Sequence, residues 1–194
     1  MGYVESLTKK MIDYQIIKEA DRKIYMYGLE NGMAILANMI TAVIIGIFSG
    51  KLSIIIIFLL SFISLRIYAG GFHLENKLTC YLFSNVILIL PLYGNKFYYQ
   101  FITSTNRLAL FGLVVLIILF LNPVECIKRK YDVEEKMYFR KRSIFVLLFQ
   151  VIIYFLLIKW KKSDYAFAIL ASLLIISVLL FWGKLNLRVR GVKK

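Results

Sequence analysis

The sequence holds few of the side chains from which metal centres are built. It contains one histidine and two cysteines in 194 residues. The histidine, His73, has one cysteine and one carboxylate, Cys80 and Glu75, within seven residues of it. A tetrahedral zinc site needs four such ligands, so this set is incomplete and we predict neither a metal nor another cofactor. The chain also lacks a phosphate-binding loop, an internal repeat and a low-complexity tract, which argues against a nucleotide-driven function.

Acidic residues are scarce as well, 11 against 25 basic ones, and the net charge is +14. In a soluble protein such an excess would indicate nucleic-acid binding. Here 60% of the residues are hydrophobic and the mean hydropathy is +0.74. The basic residues lie between and beyond long apolar runs, which is the charge pattern of a membrane protein. We therefore predict the lipid bilayer as a partner and no nucleic acid.

Six apolar runs follow the N-terminal segment, at residues 31–49, 52–65, 78–93, 108–121, 144–158 and 165–182. They predict an all-α, polytopic integral membrane protein with about six transmembrane segments. The second and fourth runs contain only 14 residues each, about 21 Å of helix against a hydrocarbon core of about 30 Å. Either they recruit flanking residues such as Arg66 and Arg107, whose long side chains reach the interface, or they form re-entrant or interfacial segments beside four spans.

The basic residues are distributed unevenly between the two sides of this arrangement. With a cytoplasmic N-terminus, 19 of the 25 basic residues fall on the cytoplasmic side and 6 on the outer side. The positive-inside rule therefore places both termini and residues 66–77 in the cytoplasm. Cys80 and Cys126 then face a reducing compartment, so we predict free thiols and no disulfide. On the outer side, the aromatic cluster at residues 93–101 is typical of the headgroup level.

The first 28 residues combine charge and hydrophobicity at helical spacing, with Val4 and Leu7 on one face and Lys9 off it. This pattern predicts an amphipathic helix that lies at the membrane interface or packs on the protein's own loops. The chain accordingly divides into an amphipathic segment at 1–28, a single transmembrane domain at 29–182 and a basic cytoplasmic tail at 183–194.

Residues 66–80, Arg-Ile-Tyr-Ala-Gly-Gly-Phe-His-Leu-Glu-Asn-Lys-Leu-Thr-Cys, form a polar interruption between two apolar runs. They supply a thiol, an imidazole and a guanidinium, which can serve thiol-based acyl transfer as nucleophile, base and fixed positive charge. In one continuous helix Cys80 would lie about 10.5 Å along the axis from His73, too far for a hydrogen bond. The chain must therefore fold back between them, and Gly70–Gly71 permits the backbone angles that this requires. A purely structural histidine and cysteine are the alternative interpretation.

The pattern Arg66-x4-Gly71-x-His73-x6-Cys80, set between hydrophobic segments, resembles the accessory gene regulator B family. These are bacterial membrane cysteine endopeptidases that mature quorum-sensing peptide precursors. The resemblance implies Cys80 as the nucleophile and His73 as its base. Arg66, Gly71 and the adjacent Gly70 would be supporting or substrate-positioning residues. As a motif the resemblance covers fifteen residues without a departure, and as architecture it covers most of the chain.

The resemblance also implies a reaction, a substrate and a location. Cys80 would cleave the C-terminal tail from a precursor peptide through an acyl-enzyme thioester, and an internal nucleophile of the peptide would then close a thiolactone or lactone ring. The domain at 29–182 would be catalytic, the protein a homodimer, and its location the bacterial cell membrane. We identify no third catalytic member, and Glu75 and Asn76 are the nearest candidates in sequence. The rival interpretation is a small, non-enzymatic membrane transporter or partner subunit.

Residues 125–143 mix acidic and basic side chains and predict a solvated helical hairpin or connector. Its last basic cluster could attract an acidic tail of the precursor or serve membrane topology alone. The residues of that cluster are Arg140, Lys141 and Arg142. Cys126 has no neighbouring histidine and follows Glu125, whose charge disfavours a thiolate, so we predict that it has no part in catalysis.

Overall fold

The computed structural model describes residues 2–71, 77–124 and 132–191, and within these ranges the chain is helical with no β-strand. The α-helices are α1 (Gly2–Asp13), α2 (Arg22–Phe48), α3 (Leu52–Ala69), α4 (Lys77–Ile87), α5 (Ile89–Phe101), α6 (Ser104–Leu121), α7 (Val133–Lys159) and α8 (Ser163–Gly191). A short 3₁₀ helix, Glu19–Asp21, precedes α2. The predicted all-α fold class is confirmed.

Within the ranges that the structure describes, six helical segments are long and apolar enough to cross a bilayer, in agreement with the prediction of about six spans. They are Glu19–Phe48, Leu52–Ala69, Leu78–Phe101, Ser104–Leu121, Val133–Lys159 and Ser163–Asn186. The two short apolar runs do recruit flanking residues, because α3 continues past Arg66 and α6 begins before Arg107. Each of these helices has 18 residues, or about 27 Å of length, close to the hydrocarbon thickness. The chain is therefore a multi-pass membrane protein.

The N-terminal unit, Met1–Ala42, contains two helical pieces where the sequence predicted one amphipathic helix over 1–28. The first piece, α1, ends at Asp13, and Gln15 has a positive φ of 57° in the turn that follows. Arg22 begins α2, and its guanidinium lies 3.2 Å from Glu19 and 3.7 Å from Glu5. These two ion pairs join the start of α2 to α1, so the reversal separates the amphipathic piece from the first span.

The second unit, Val43–Lys194, is built around α8. This helix packs against α3, α5, α6 and α7. In its most apolar window 78% of the residues are buried, against 17–33% for the four other spans that lie wholly in this unit. Small side chains on α8 allow this close approach, since helices in a membrane associate through small residues. The buried small residues include Ala166, Ala168, Ala171, Ser172 and Ser177.

One end of this unit contains the turn between α2 and α3, the C-terminus of α5 and the turn between α7 and α8. The Lys51 ammonium donates to the Leu92 carbonyl at 2.6 Å and lies 5.0 Å from the centre of the Tyr93 ring. Tyr98 differs from the headgroup position predicted for the aromatic cluster, because it is buried and packs 5.2 Å from Phe167. Tyr98 therefore belongs to the core between α5 and α8.

Candidate active site

The opposite end of the unit carries the glycine pair of the sequence motif. Helix α3 ends at Ala69, and the next two residues have positive φ angles, 70° at Gly70 and 112° at Gly71. The Arg66 guanidinium folds back over this turn and donates to the Gly70 carbonyl. A Cβ at Gly71 would overlap that guanidinium, and a Cβ at Gly70 would overlap the Val124 carbonyl oxygen. Both positions therefore require glycine, for conformation and for space.

A short backbone bridge joins this turn to the end of α6. The Val124 N–H donates to the Ala69 carbonyl at 3.0 Å, and the Gly71 N–H donates to the Val124 carbonyl at 3.3 Å. Gly70 and Val124 thus form an isolated parallel β-bridge just beyond the last residues of α3 and α6. The ends of α3 and α6, which are distant in sequence, are thus fixed together at the Gly70–Gly71 pair, whose second residue precedes His73 by two positions.

Cys80 is the fourth residue of α4, and it is a free, partly exposed thiol. Its carbonyl accepts a hydrogen bond from the Ser84 hydroxyl at 2.8 Å. The thiol therefore lies in the first turn of α4.

Five of the residues singled out in the sequence lie outside the described residues: His73, Glu75, Asn76, Glu125 and Cys126. The pairing of His73 with Cys80 therefore stays a prediction. Of the predicted site residues, the structure brings together Arg66, Gly70 and Gly71, and it adds the segment Asn122–Val124, which the sequence did not assign to the site.

The basic cluster lies on α7, at the same end of the unit as the glycine turn. The predicted connector is helical from Val133 onward and continues into the span. The Phe139 ring lies 6.5 Å from Tyr68, two residues before Gly70, and Ser143 is fully buried. One face of α7 thus packs against the end of α3, whereas the charged cluster at 140–142 is exposed.

Asn122, the residue after α6, is a candidate that the sequence analysis missed. It is 4% exposed, and neither its Nδ2 nor its Oδ1 has a hydrogen-bond partner in the described part of the chain. Its backbone N–H caps α6 by donating to the Ile118 carbonyl at 3.1 Å. In the sequence Asn122 precedes Pro123 at the end of an apolar run and indicates only a helix stop, so local pattern gave no sign of a buried amide.

Gln150 is the second residue that sequence reasoning passed over. It is buried in the middle of α7, and its Nε2 donates to the Ser61 carbonyl at 2.8 Å and to the Ser64 hydroxyl at 3.1 Å. The Ser61 hydroxyl in turn pairs with that of Ser172 on α8. This network ties α3 to α7 and α8 in the apolar interior, and it fixes the helix that carries Arg66. The sequence feature that could have identified Gln150 is a single amide side chain within an apolar run.

Comparison with known sequences bears on the identity of this site. No curated protein and no solved structure matches the chain. The sequence model of one family, accessory gene regulator B, matches residues 4–181. That match spans all six candidate spans nearly completely and includes the glycine turn, Cys80 and the basic face of α7. The chain therefore belongs to the accessory gene regulator B family, whose members take part in the processing of quorum-sensing peptides.

Proposed function

We propose that the chain is a membrane cysteine endopeptidase that removes the C-terminal tail of a quorum-sensing precursor peptide and promotes closure of its thiolactone or lactone ring. The family match carries this proposal, and the free, partly exposed thiol of Cys80 at the polar end of the bundle supports it.

The proposal includes a homodimer in the bacterial cell membrane. Chemical cross-linking in native membranes that yields only monomer would contradict the dimer.

The chemistry begins with His73 taking the proton from Cys80. The thiolate attacks the scissile carbonyl carbon, a C–S bond forms, and the carbonyl π electrons move to oxygen. Collapse of this intermediate breaks the C–N bond, and the imidazolium returns its proton to the amine of the departing tail. An internal thiol or hydroxyl of the bound peptide then attacks the thioester, releases Cys80 and closes the ring.

The position of Cys80 suits the second half of this reaction. The thioester must react with the peptide's own nucleophile rather than with water, so access of water has to be limited. Cys80 stands in the first turn of an apolar helix, and Leu82 and Phe83 beside it are exposed to the surroundings of the helix. In a bilayer these side chains contact lipid, which keeps the thioester at a water-poor boundary.

The acyl-enzyme is the species that tests the proposal. A precursor that lacks its ring-forming residue is expected to leave a precursor fragment on Cys80, because the internal nucleophile is missing. Mass spectrometry of the purified protein would detect the adduct, and added thiol should release it as a thioester. A fragment attached to Cys126, or cleavage of the precursor without any thiol-sensitive adduct, would contradict the mechanism.

We propose that both termini and the glycine turn face the cytoplasm, on the basis of the 19-to-6 distribution of basic residues. A membrane-impermeant thiol reagent applied to intact cells is then expected to leave Cys80 and Cys126 unlabelled. A cysteine introduced at Asn95, at the opposite end of the bundle, should react in a double Cys80→Ala, Cys126→Ala background. Labelling of the native cysteines from outside would reverse the proposed orientation.

The basic face of α7 is proposed to attract the acidic tail of the precursor. On a helix with about 100° per residue, Arg140 lies about 100° to one side of Phe139 and Arg142 about 60° to the other. Both guanidinium groups therefore flank the contact that Phe139 makes with Tyr68 at the end of α3. Lys141 lies about 160° away from Phe139, on the far side of the helix.

Because these side chains point in different directions from the helix, an experiment can distinguish recognition of the precursor from a role in membrane topology. Replacing both Arg140 and Arg142 with glutamine is expected to raise the apparent KM for the precursor roughly twofold to thirtyfold, since exposed charge pairs contribute about 0.2–1 kcal/mol each. The effect should shrink at high salt, and kcat should change little. Lys141→Gln is the matched control and should leave KM unchanged. An equal effect of Lys141→Gln, or no effect of the double variant in correctly inserted protein, would leave topology as the function of the cluster.

A further inference from the structure

The third span consists of two helices, α4 and α5, joined by the single residue Leu88. The Leu88 N–H donates to the Asn85 carbonyl, three residues earlier, at 3.2 Å, which is the tighter 3₁₀ pattern. Pro91, in the first turn of α5, has no N–H with which to bond the Ile87 carbonyl four residues before it. The ladder of backbone hydrogen bonds is therefore weakened at this junction, and a helix bends most readily where its ladder is interrupted.

The half of the span that follows the junction is anchored in the bundle. Helix α5 packs against α3 and α8. Pro91 and Leu92 are buried near its start, and the Leu92 carbonyl accepts from the Lys51 ammonium at 2.6 Å. Farther along, the Tyr98 ring lies 5.2 Å from the Phe167 ring of α8. Helix α5 is therefore the fixed part of the span.

The half that precedes the junction has no such anchor. Among the described helices of the second unit, α4 packs appreciably only against α5. Its side chains Leu82, Phe83 and Val86 are exposed, and in a bilayer lipid tails surround them as favourably as another helix would. The side chains of Ser84 and Asn85 donate to carbonyls one turn earlier in α4 itself, so these bonds tie α4 to no other helix. Moving α4 against lipid therefore costs little.

We propose that Leu88 is a hinge about which α4 swings as a rigid arm on the fixed helix α5, and that bound precursor holds this arm in one position. The thiol of Cys80 lies near the far end of the arm, eight residues from Leu88, or about 12 Å along a helix. A change of about 20° in the bend, the size of a distinct helix kink, moves Cys80 by about 4 Å.

The role of the precursor follows from the chemistry. Attack on a carbonyl carbon requires the sulfur at about 3–3.5 Å and in a defined orientation. An arm that carries Cys80 through about 4 Å does not hold that geometry by itself. The bound precursor therefore fixes α4 while the acyl-enzyme forms. This part of the inference rests on the proposed function, whereas the hinge itself does not.

Distances between pairs of spin labels, measured by double electron–electron resonance, test the hinge. In a Cys80→Ala, Cys126→Ala background, one pair is attached at Leu82→Cys on α4 and Phe145→Cys on α7. The control pair keeps the label on α7 and places the other at Phe97→Cys on α5. All three labelled positions are exposed. The α4 label lies about 9 Å from the hinge, so its distance distribution should be broader than that of the control by about 3 Å or more.

Pro91→Ala supplies an N–H that can bond the Ile87 carbonyl, so it should stiffen the junction. The α4–α7 distribution is then expected to narrow to the width of the control. The α5–α7 distribution should stay narrow in this variant, which shows that the bundle remains folded. In the protein with Pro91, adding the precursor that lacks its ring-forming residue should also narrow the α4–α7 distribution.

An α4–α7 distribution as narrow as the control, measured with Pro91 present and without precursor, would overturn the hinge. A broad distribution that Pro91→Ala leaves unchanged would also overturn it, because the motion would then arise elsewhere. A distribution that saturating precursor leaves broad would contradict the holding of the arm. Failure of the proposed function looks different, since unlabelled protein with its native Cys80 would then form no adduct with the precursor, whatever the width of the distribution.

Discussion

Cys80→Ala is expected to abolish precursor cleavage while the protein still inserts and folds. The loss is complete because the proposed reaction passes through a covalent bond to this sulfur, and no other side chain can replace it. Folding should persist because Cys80 is only partly buried in the first turn of α4, where alanine is a good helix former. Cys80→Ser should be nearly as inactive, since a hydroxyl is far harder to ionise than a thiol.

His73→Ala is expected to lower the cleavage rate by about 10²–10⁴-fold, the contribution typical of a general base. Cys126→Ala should retain activity and serves as the internal control for removing a thiol. Cleavage is measured by mass spectrometry of the released tail in membranes with equal amounts of inserted protein. Full cleavage by Cys80→Ala, or loss of activity in Cys126→Ala alone, would show that the nucleophile is assigned to the wrong cysteine.

Gly70→Ala and Gly71→Ala are expected to disrupt the turn that leads into the motif. Both residues have positive φ angles, which cost a residue with a Cβ about 1–3 kcal/mol. The added methyl group would also meet the Val124 backbone at position 70 and the Arg66 guanidinium at position 71. The first clash is with backbone and the second with a long side chain, so Gly70→Ala should be the more damaging change.

The matched control is Gly112→Ala on α6. A Cβ at Gly112 meets nothing within 4 Å, so the substitution should leave activity unchanged and add about 0.5–1 kcal/mol of helix stability. Melting temperature and cleavage rate are measured on the three purified variants. Gly70→Ala is expected to lower both quantities strongly. The cleavage rate should fall at least tenfold, which corresponds to about 1.4 kcal/mol. Wild-type activity in Gly70→Ala would mean that the bridge to Val124 has no bearing on the site.

Much of the fold followed from hydrophobic patterning. The six apolar runs predicted the six spans. For the short second and fourth runs the sequence left two alternatives open, and the helices that form are those that include Arg66 and Arg107. Such predictions succeed because the bilayer imposes one length scale on every span and demands that each satisfy its backbone hydrogen bonds internally. The turn after Asp13 was not predicted, because charged and apolar residues at helical spacing occur both in one continuous amphipathic helix and in two helices separated by a turn.

The order of packing within the bundle was decided by tertiary structure alone. Helices α3 and α8 have similar apolar content, yet α8 is the central one. Its small buried residues are typical of a helix–helix interface, but they do not say which helices it packs against. For the same reason the network around Gln150 could not be predicted, since the partner hydroxyls lie on α3 and α8.

At the proposed site, the sequence by itself determined which reactive groups are available: one thiol, one imidazole and one guanidinium within fifteen residues, interrupted by a glycine pair. These are local facts, and the need for a tight turn follows from the spacing. Only the tertiary structure decided which distant segment closes that turn and what Arg66 holds. The parallel bridge from Gly70 to Val124 and the buried amide of Asn122 depend on where α6 ends relative to α3. That relation is set by how both helices pack against α8, and no local pattern of residues encodes it.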